Sequence, residues 1–180
     1  TFPVDVKLVR WSLRAVVVLT EKCMDNLQWI VTEGACEVLP LAIQAHETVK
    51  VVAAVGADVL TILATEQGVE NAIRLGHSGA CETLINTLSL HHNDADVSGR
   101  ASRAIANLAR DKGNRSWFGP AGACEALLLC QRTNPNSSIL ATSVWLAVSN
   151  LITNNGNRHR FVNAGGGFQI LSSFQLLLSS

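Results

Sequence analysis

One stretch of the chain places three arginines and an asparagine on a single predicted helix face. The row has the spacing i, i+3, i+7 and i+10 and consists of Arg100, Arg103, Asn107 and Arg110. Side chains at this spacing share one face of an α-helix, and guanidinium groups in a row can hold a carboxylate or phosphate through charge-assisted hydrogen bonds. The row therefore predicts a surface for an acidic or phosphorylated segment. The alternative is a solvated helix face whose arginines pair with Asp96 or Asp111.

Other residue types that perform chemistry do not form a recognisable site. His91 and His92 are adjacent in a predicted loop, so their side chains diverge, whereas a metal site needs convergent ligands. The triple glycine at 165–167 lacks the Lys-Ser/Thr pair of a phosphate-binding loop. No local motif supplies a nucleophile with a neighbouring base. We therefore expect no enzymatic activity, no metal, no cofactor and no small-molecule substrate.

The cysteines indicate a reducing environment. The chain has five, an odd number without any Cys-x-x-Cys pair: Cys23, Cys36, Cys81, Cys124 and Cys130. A secreted disulfide framework requires an even and dense set. We interpret the five as reduced thiols that serve as small core residues of an intracellular protein.

Composition excludes several classes of protein. The 180 residues are 48% hydrophobic and only 16% charged, with 14 basic and 14 acidic side chains, so neither a disordered chain nor a nucleic-acid-binding protein is indicated. The apolar runs reach five residues, whereas a membrane span needs about 20. No signal peptide is recognisable. We expect a cytoplasmic location without direct membrane insertion.

The elements that position these residues come from an internal repeat of about 43 residues. A Gly-Ala-Cys-Glu motif begins at Gly34, Gly79 and Gly122, and a looser copy begins at Gly165, with spacings of 45, 43 and 43. Eight residues before each glycine stands an asparagine: Asn26, Asn71, Asn114 and Asn157. Five residues after each glycine stands a large apolar residue: Leu39, Leu84, Leu127 and Ile170. Agreement of these positions across four copies indicates a true repeat.

Each repeat predicts three helices. The asparagine is expected to be the N-cap of a short helix, and the glycine allows a tight turn. A second helix then begins with a glutamate in its first turn, where a carboxylate offsets the helix dipole. The third helix is longer, near 97–109 and 139–152, with Ala101, Ile105 and Leu108 as a buried stripe. Because one unit cannot bury its apolar face alone, the copies are expected to stack into a right-handed α-solenoid.

Several motifs within the repeat resemble the armadillo repeat consensus. One copy contains Asn107-Leu108-Ala109, Gly113-Asn114-Arg115, Ala121-Gly122-Ala123 and Ala126-Leu127. The next copy contains Asn150-Leu151, Gly156-Asn157-Arg158 and Ala164-Gly165-Gly166. The resemblance covers nearly the whole chain and is strongest from 71 to 173. It implies an all-α fold and, for function, only that the protein binds other proteins.

The predicted organisation is a single armadillo-type solenoid over residues 1–180. A partial repeat at 1–33 precedes three full repeats, and a second partial repeat occupies 165–180. The full repeats are expected at 34–78, 79–121 and 122–164.

The resemblance also implies a concave groove along the third helices. In the nuclear import adaptors of this family, an Asn on each third helix clamps the peptide backbone and a Trp lies one turn earlier. Asn107 and Asn150 match the Asn positions, but the Trp positions hold Arg103 and Leu146. Trp145 lies one residue away, and we interpret it as a core residue. We therefore do not expect nuclear-signal recognition. The candidate concave site consists of Arg100, Arg103, Asn107, Arg110 and Asn150.

The two halves of the chain differ in charge and the last stretch has none. Residues 1–90 hold 6 basic and 10 acidic side chains, and residues 91–180 hold 8 basic and 4 acidic ones. The last 20 residues contain no charged side chain. A free solenoid end requires a polar capping repeat, and the sequence indicates none at either end. We predict an end interface at Phe168, Phe174 and Leu177.

Together these features predict a non-catalytic protein–protein interaction scaffold. We expect a subunit built into a larger intracellular assembly, whose partners are other proteins or further repeats of the same chain. The alternative is a reversible adaptor that binds an extended acidic or phosphorylated peptide in the concave groove.

Overall fold

The computed structural model describes residues 5–65 and 69–178, and only the backbone for 176–178. These residues form α-helices and contain no β-strand, so the all-α prediction is confirmed for them. The helices in chain order are α1 (Val6–Thr20), α2 (Met24–Thr32), α3 (Ala35–Gln44), α4 (Lys50–Thr65), α5 (Val69–His77), α6 (Ala80–His91), α7 (Ala95–Leu108), α8 (Lys112–Phe118), α9 (Ala123–Thr133), α10 (Ser138–Leu151), α11 (Asn155–Asn163) and α12 (Gly166–Leu178).

The helices are of three kinds, and each kind contacts its own successor along the chain. The long helices pack in the order α1, α4, α7 and α10. The helices that follow the glycine turns pack in the order α3, α6, α9 and α12. Of the short helices, α5 contacts α8, and α8 contacts α11. The core lies between these rows, because side chains from all three kinds are buried together.

The repeated glycines form the predicted tight turns. Gly34, Gly79, Gly122 and Gly165 have φ values of 90°, 86°, 91° and 85°, which lie in the left-handed region that a residue without Cβ adopts at little cost. The next helix begins at the following residue in all four copies. The predicted acidic residue is in the first turn of α3, α6 and α9.

The predicted long helices are found close to their expected bounds. The segments 97–109 and 139–152 correspond to α7 and α10, and the predicted stripe of Ala101, Ile105 and Leu108 is fully buried. Asp94 caps α7 by accepting hydrogen bonds from the backbone N–H groups of Asp96 and Val97, both at 3.1 Å. These helices therefore begin where a polar turn residue supplies an acceptor for free N–H groups.

The prediction that the repeated asparagine caps the short helix is wrong. Asn114 is the third residue of α8, and the cap is Asp111, which accepts a hydrogen bond from the Asn114 backbone N–H at 2.7 Å. In α11 the cap is Asn154, which accepts from the backbone N–H of Asn157 at 3.2 Å. Asn26 and Asn71 likewise lie inside α2 and α5.

The repeated asparagine instead uses its side chain to connect two copies. The buried amide of Asn114 donates to the carbonyl oxygens of Ala72 at 2.8 Å and Leu108 at 3.1 Å. Ala72 belongs to the short helix of the preceding copy, whereas Leu108 ends the long helix just before Asn114. Burying the amide is tolerated because its donors find carbonyl groups at the ends of these helices.

The structure confirms the interpretation of the cysteines as core residues for four of the five. All five are free thiols, and four are buried, whereas Cys23 is half-buried. Burial raises the pKa of Cys36 and of Cys124 to about 11. It also raises the pKa of Cys81 and Cys130. These four thiols are therefore protonated at neutral pH and are poor nucleophiles.

Candidate functional site

The predicted arginine row borders a groove between the long helices. This surface, which we call the long-helix groove, has a volume of about 450 Å³ and receives residues from α1, α4, α7 and α10. Its principal lining residues are Val17, Asp58, Ile62, Arg100, Arg103 and Ile139. The groove thus combines apolar side chains from three helices with a charged centre.

Acidic side chains neutralise the arginines in this groove. Arg100 forms an ion pair with Asp58 and a second one with Asp96, in which Nε lies 3.0 Å from Oδ1. Arg103 places Nη2 3.4 Å from the other Asp58 oxygen. Two guanidinium groups therefore face two carboxylates, and the centre of the groove has little net charge. Asp96 is one of the partners proposed for the solvated-face alternative.

The neighbouring carboxylates also stabilise the charged form of Arg100. Partial burial lowers the pKa of this guanidinium, but hydrogen bonds and charge from Asp96 and Asp58 outweigh it and raise the pKa above its usual value. The Arg100 side chain is 36% exposed and that of Asp58 only 16%. An acidic ligand in the groove must therefore compete with carboxylates that are already in place.

The two asparagines of the predicted concave site connect adjacent long helices. The Asn107 amide donates to the Thr65 hydroxyl at 2.6 Å and to the Thr61 carbonyl at 3.4 Å. The Asn150 amide donates to the Ala106 carbonyl at 2.8 Å. These side chains therefore use donors that a peptide clamp would need for contacts between helices.

Arg110 does not belong to the helix face that the sequence predicted. Helix α7 ends at Leu108, so Arg110 lies in the following turn and is exposed. Its carbonyl oxygen accepts a hydrogen bond from the Arg115 side chain at 2.9 Å. The structure thus brings together Arg100, Arg103 and Asn107 and separates Arg110 from them.

The predicted end interface lies on the last helix. Phe168 is 76% exposed and Phe174 is 61% exposed on α12, whereas the side chain of Leu177 lies outside the described residues. A second groove of about 280 Å³, which we call the end groove, runs between α10 and α12 and is almost wholly apolar. Its lining residues are Trp145, Ile170, Ser173 and Phe174. Trp145 packs against the core but also lines this groove, so it is only partly a core residue.

The first helix exposes apolar side chains as well. Leu8, Trp11 and Leu19 of α1 are all exposed, and the guanidinium of Arg10 lies 5.0 Å from the centre of the Trp11 ring. Contiguous exposed apolar surface of this kind commonly marks a site of protein–protein contact. Both the first and the last described helix therefore offer candidate interaction surfaces.

The histidines of the predicted loop make structural contacts. A ring nitrogen of His91 lies 2.7 Å from the Glu47 carbonyl oxygen, and one of His92 lies 3.0 Å from that of Ser89. Within residues 5–65 and 69–178, no three His, Cys, Asp or Glu side chains are placed to hold a metal ion.

Sequence reasoning missed the residues that join one copy to the next. Asp58, which pairs with both arginines, precedes Arg103 by 45 residues, and Glu37 forms a two-bonded ion pair with Arg74 at 2.8 Å. A search for opposite charges separated by about one repeat length would have found the Asp58 pairs. The signal was present but was not used.

Comparisons with known proteins leave the chain without a relative. No family description, curated protein or solved structure matches it. Among the residues described, no helix combines the length and the apolar character that crossing a membrane requires.

Proposed function

We propose that this protein is a non-catalytic interaction scaffold with an armadillo-type, right-handed solenoid fold. The proposal is supported by the contacts of each helix kind with its successor and by the left-handed glycine that recurs before α3, α6, α9 and α12. Stacked repeats present extended surfaces that suit protein binding. The scaffold is a stable subunit of a cytoplasmic assembly, which agrees with its five free cysteines.

The observation that carries this proposal is the exposed apolar surface of the first and last helices. Phe168, Leu171 and Phe174 of α12 are exposed in a segment without charged side chains. Covering such surface releases about 25 cal/mol for every Å² of apolar area removed from water. A permanent partner is therefore favoured at these ends over repeated exposure to solvent.

Light scattering after size-exclusion chromatography tests the proposal on the isolated chain. We expect a mass above the 19.2 kDa of one chain, or loss from solution, at both low and high salt, because apolar contacts do not weaken with salt. The F174S variant should reduce this association, whereas I139S, which removes an exposed apolar residue from the long-helix groove, should not. A uniform 19.2 kDa species at every concentration would contradict the proposal.

A second candidate function, the reversible adaptor, is favoured by the long-helix groove itself. An extended acidic peptide could displace Asp58 and Asp96 from the arginines and take over their hydrogen bonds. If so, D58N should strengthen the binding of an acidic peptide and R103A should weaken it, as measured by fluorescence polarisation. R132A on α9 is the control for general charge effects. Equal, weak binding by all four proteins would exclude the adaptor.

A further inference from the structure

The helices at the two ends of the described chain are complementary parts of one repeat. An inner copy consists of a short helix, a second helix and a long helix, as in α8, α9 and α10. Within the described residues, α11 and α12 are a first and second helix with no long helix after them, and α1 is a long helix with no such pair before it. The missing long helix at one end is therefore present, unaccompanied, at the other.

The end groove occupies the place where a long helix lies in the inner copy. Its four lining residues are Trp145, Ile170, Ser173 and Phe174. Their counterparts 43 residues earlier are Ser102, Leu127, Cys130 and Gln131. All four counterparts are buried, in the region where α10 packs against α7 and α9. The end groove is thus the equivalent surface of α10 and α12 without its covering helix.

Equivalent hydrogen bonds align α1 with the inner long helices. The amide of Asn26 donates to the Leu19 carbonyl at 2.8 Å, and the amide of Asn114 donates to the Leu108 carbonyl at 3.1 Å. The amide of Asn157 makes the same contact with Leu151 at 3.1 Å. Leu19 therefore corresponds to the buried leucine at the end of each inner long helix.

This alignment identifies the open face of α1. Counting back from Leu19, four residues form one face: Leu8, Ser12, Ala15 and Leu19. All four are exposed. The corresponding residues of α7 are Val97, Ala101, Ala104 and Leu108, and those of α10 are Leu140, Val144, Ala147 and Leu151. All eight are fully buried. The face that is buried in α7 and α10 is mostly apolar and uncovered in α1.

From these observations we propose that two copies of the chain associate head to tail, with α1 of one copy seated in the end groove of the other. The inference rests on the proposed scaffold function and names its partner, a second copy of the same chain. The contact repeats the packing that already joins α10 to α7 and α9. Because the two surfaces differ, the contact is heterologous, and association continues into open linear assemblies unless a ring closes.

The distribution of charge favours this orientation over a symmetric one. Seating α1 beside α12 brings α2 next to α11, because short helices of successive copies contact each other. Exposed Asp25 and Glu33 of α2 then approach exposed Arg158 and Arg160 of α11. Opposite charges across an interface favour the correct partner, whereas like charges are penalised. Two identical ends would place acid against acid or base against base.

Sedimentation velocity with one variant of each surface tests the proposal. L19D places a charge on the open face of α1, and F174D places one in the end groove. S12E is a second variant of the α1 face that replaces one exposed polar residue with another, so it does not threaten folding. L90D, at an exposed position of the inner helix α6, is the control. Circular dichroism establishes that each variant is folded.

The expected result is a specific pattern of complementation. Wild-type chain and L90D should form species that grow with concentration, and each end variant alone should be monomeric. An equimolar mixture of S12E and F174D retains one intact α1 face and one intact end groove, so it should form a dimer that does not grow further.

Other outcomes overturn the inference in distinguishable ways. If only one class of end variant is monomeric, the contact is symmetric rather than head to tail. If all variants still associate, the association is unspecific, and the inference fails while the scaffold proposal stands. The same holds if the end groove is covered only by a different protein. A wild-type chain that stays monomeric overturns both.

Discussion

At the scale of single residues, the repeat depends on a buried amide that connects two helices of its own copy and one of the preceding copy. The amide of Asn157 donates to the Arg115 carbonyl at 2.7 Å and to the Leu151 carbonyl at 3.1 Å. A Cβ at Gly119 would lie only 1.8 Å from the Asn157 side-chain oxygen. The glycine therefore makes room for the asparagine of the next copy.

Replacing Asn157 with alanine should destabilise the protein by about 1–3 kcal/mol, because two buried carbonyl groups lose their donor. The N163A variant is a matched control, since Asn163 ends the same helix and is exposed. Urea unfolding measures both. Equal losses in the two variants would contradict the role given to the buried amide.

The thiols make a second prediction at this scale. At mildly alkaline pH, Cys23 should react with a thiol reagent in the native protein, while Cys36, Cys81, Cys124 and Cys130 remain protected. Burial both blocks access and raises the pKa of those four thiols. All five should react in denaturant, as quantified by mass spectrometry. Rapid native labelling of Cys124 would be the contrary result.

At the scale of the helices, the left-handed glycine fixes the turn that separates the short helix from the second helix. Gly122 has a φ of 91°, and a Cβ there would meet no atom within 4 Å. The requirement for glycine at this position is therefore conformational rather than a matter of space.

The G122A variant should lose about 1–2 kcal/mol, the cost of a left-handed residue with a Cβ. G167A is a matched control, because Gly167 also has open space around it but lies within α12. There alanine should be neutral or stabilising, since it favours a helix over glycine by about 1 kcal/mol. Thermal unfolding compares the two, and equal behaviour would count against the account.

These elements also show what the sequence could and could not predict. The glycine turns and the long helices were predictable because their signals are local: a residue without Cβ, a polar cap and a 3.6-residue apolar period. The role of Asn114 was not, because its partner Ala72 lies 42 residues away. For the same reason the pairing of Asp58 with Arg100 and Arg103 could not be read from one helix alone.

At the scale of the whole molecule, ion pairs between copies couple stability to pH. The hydrogen bond from Arg74 lowers the pKa of Glu37 below its ordinary value of 4.5. The pair joins α3 to α5 and is partly exposed, so water screens part of its energy. Its contribution is present above pH 4.5 and is lost as the pH falls below that value toward the pKa of the folded state.

The E37Q variant should therefore lose stability near neutral pH and should be less sensitive to acid than the wild type below pH 4.5. E125Q, at the same position of the repeat two copies later, is the control for removing a charge. The measurement is the midpoint of thermal unfolding as a function of pH. An acid dependence that E37Q leaves unchanged would contradict the assignment.

The central claim is that partners contact the ends of the molecule rather than its long-helix groove. Site-specific photocrosslinking in living cells tests it most directly, with the reactive amino acid placed either at Phe174 or at Leu146. Both positions are exposed and apolar, at 61% and 49%, but Leu146 lies on α10 at the position that the family resemblance assigns to the concave face. We predict discrete crosslinked products from position 174 and none from position 146. Products from position 146 alone would contradict the scaffold and favour the adaptor.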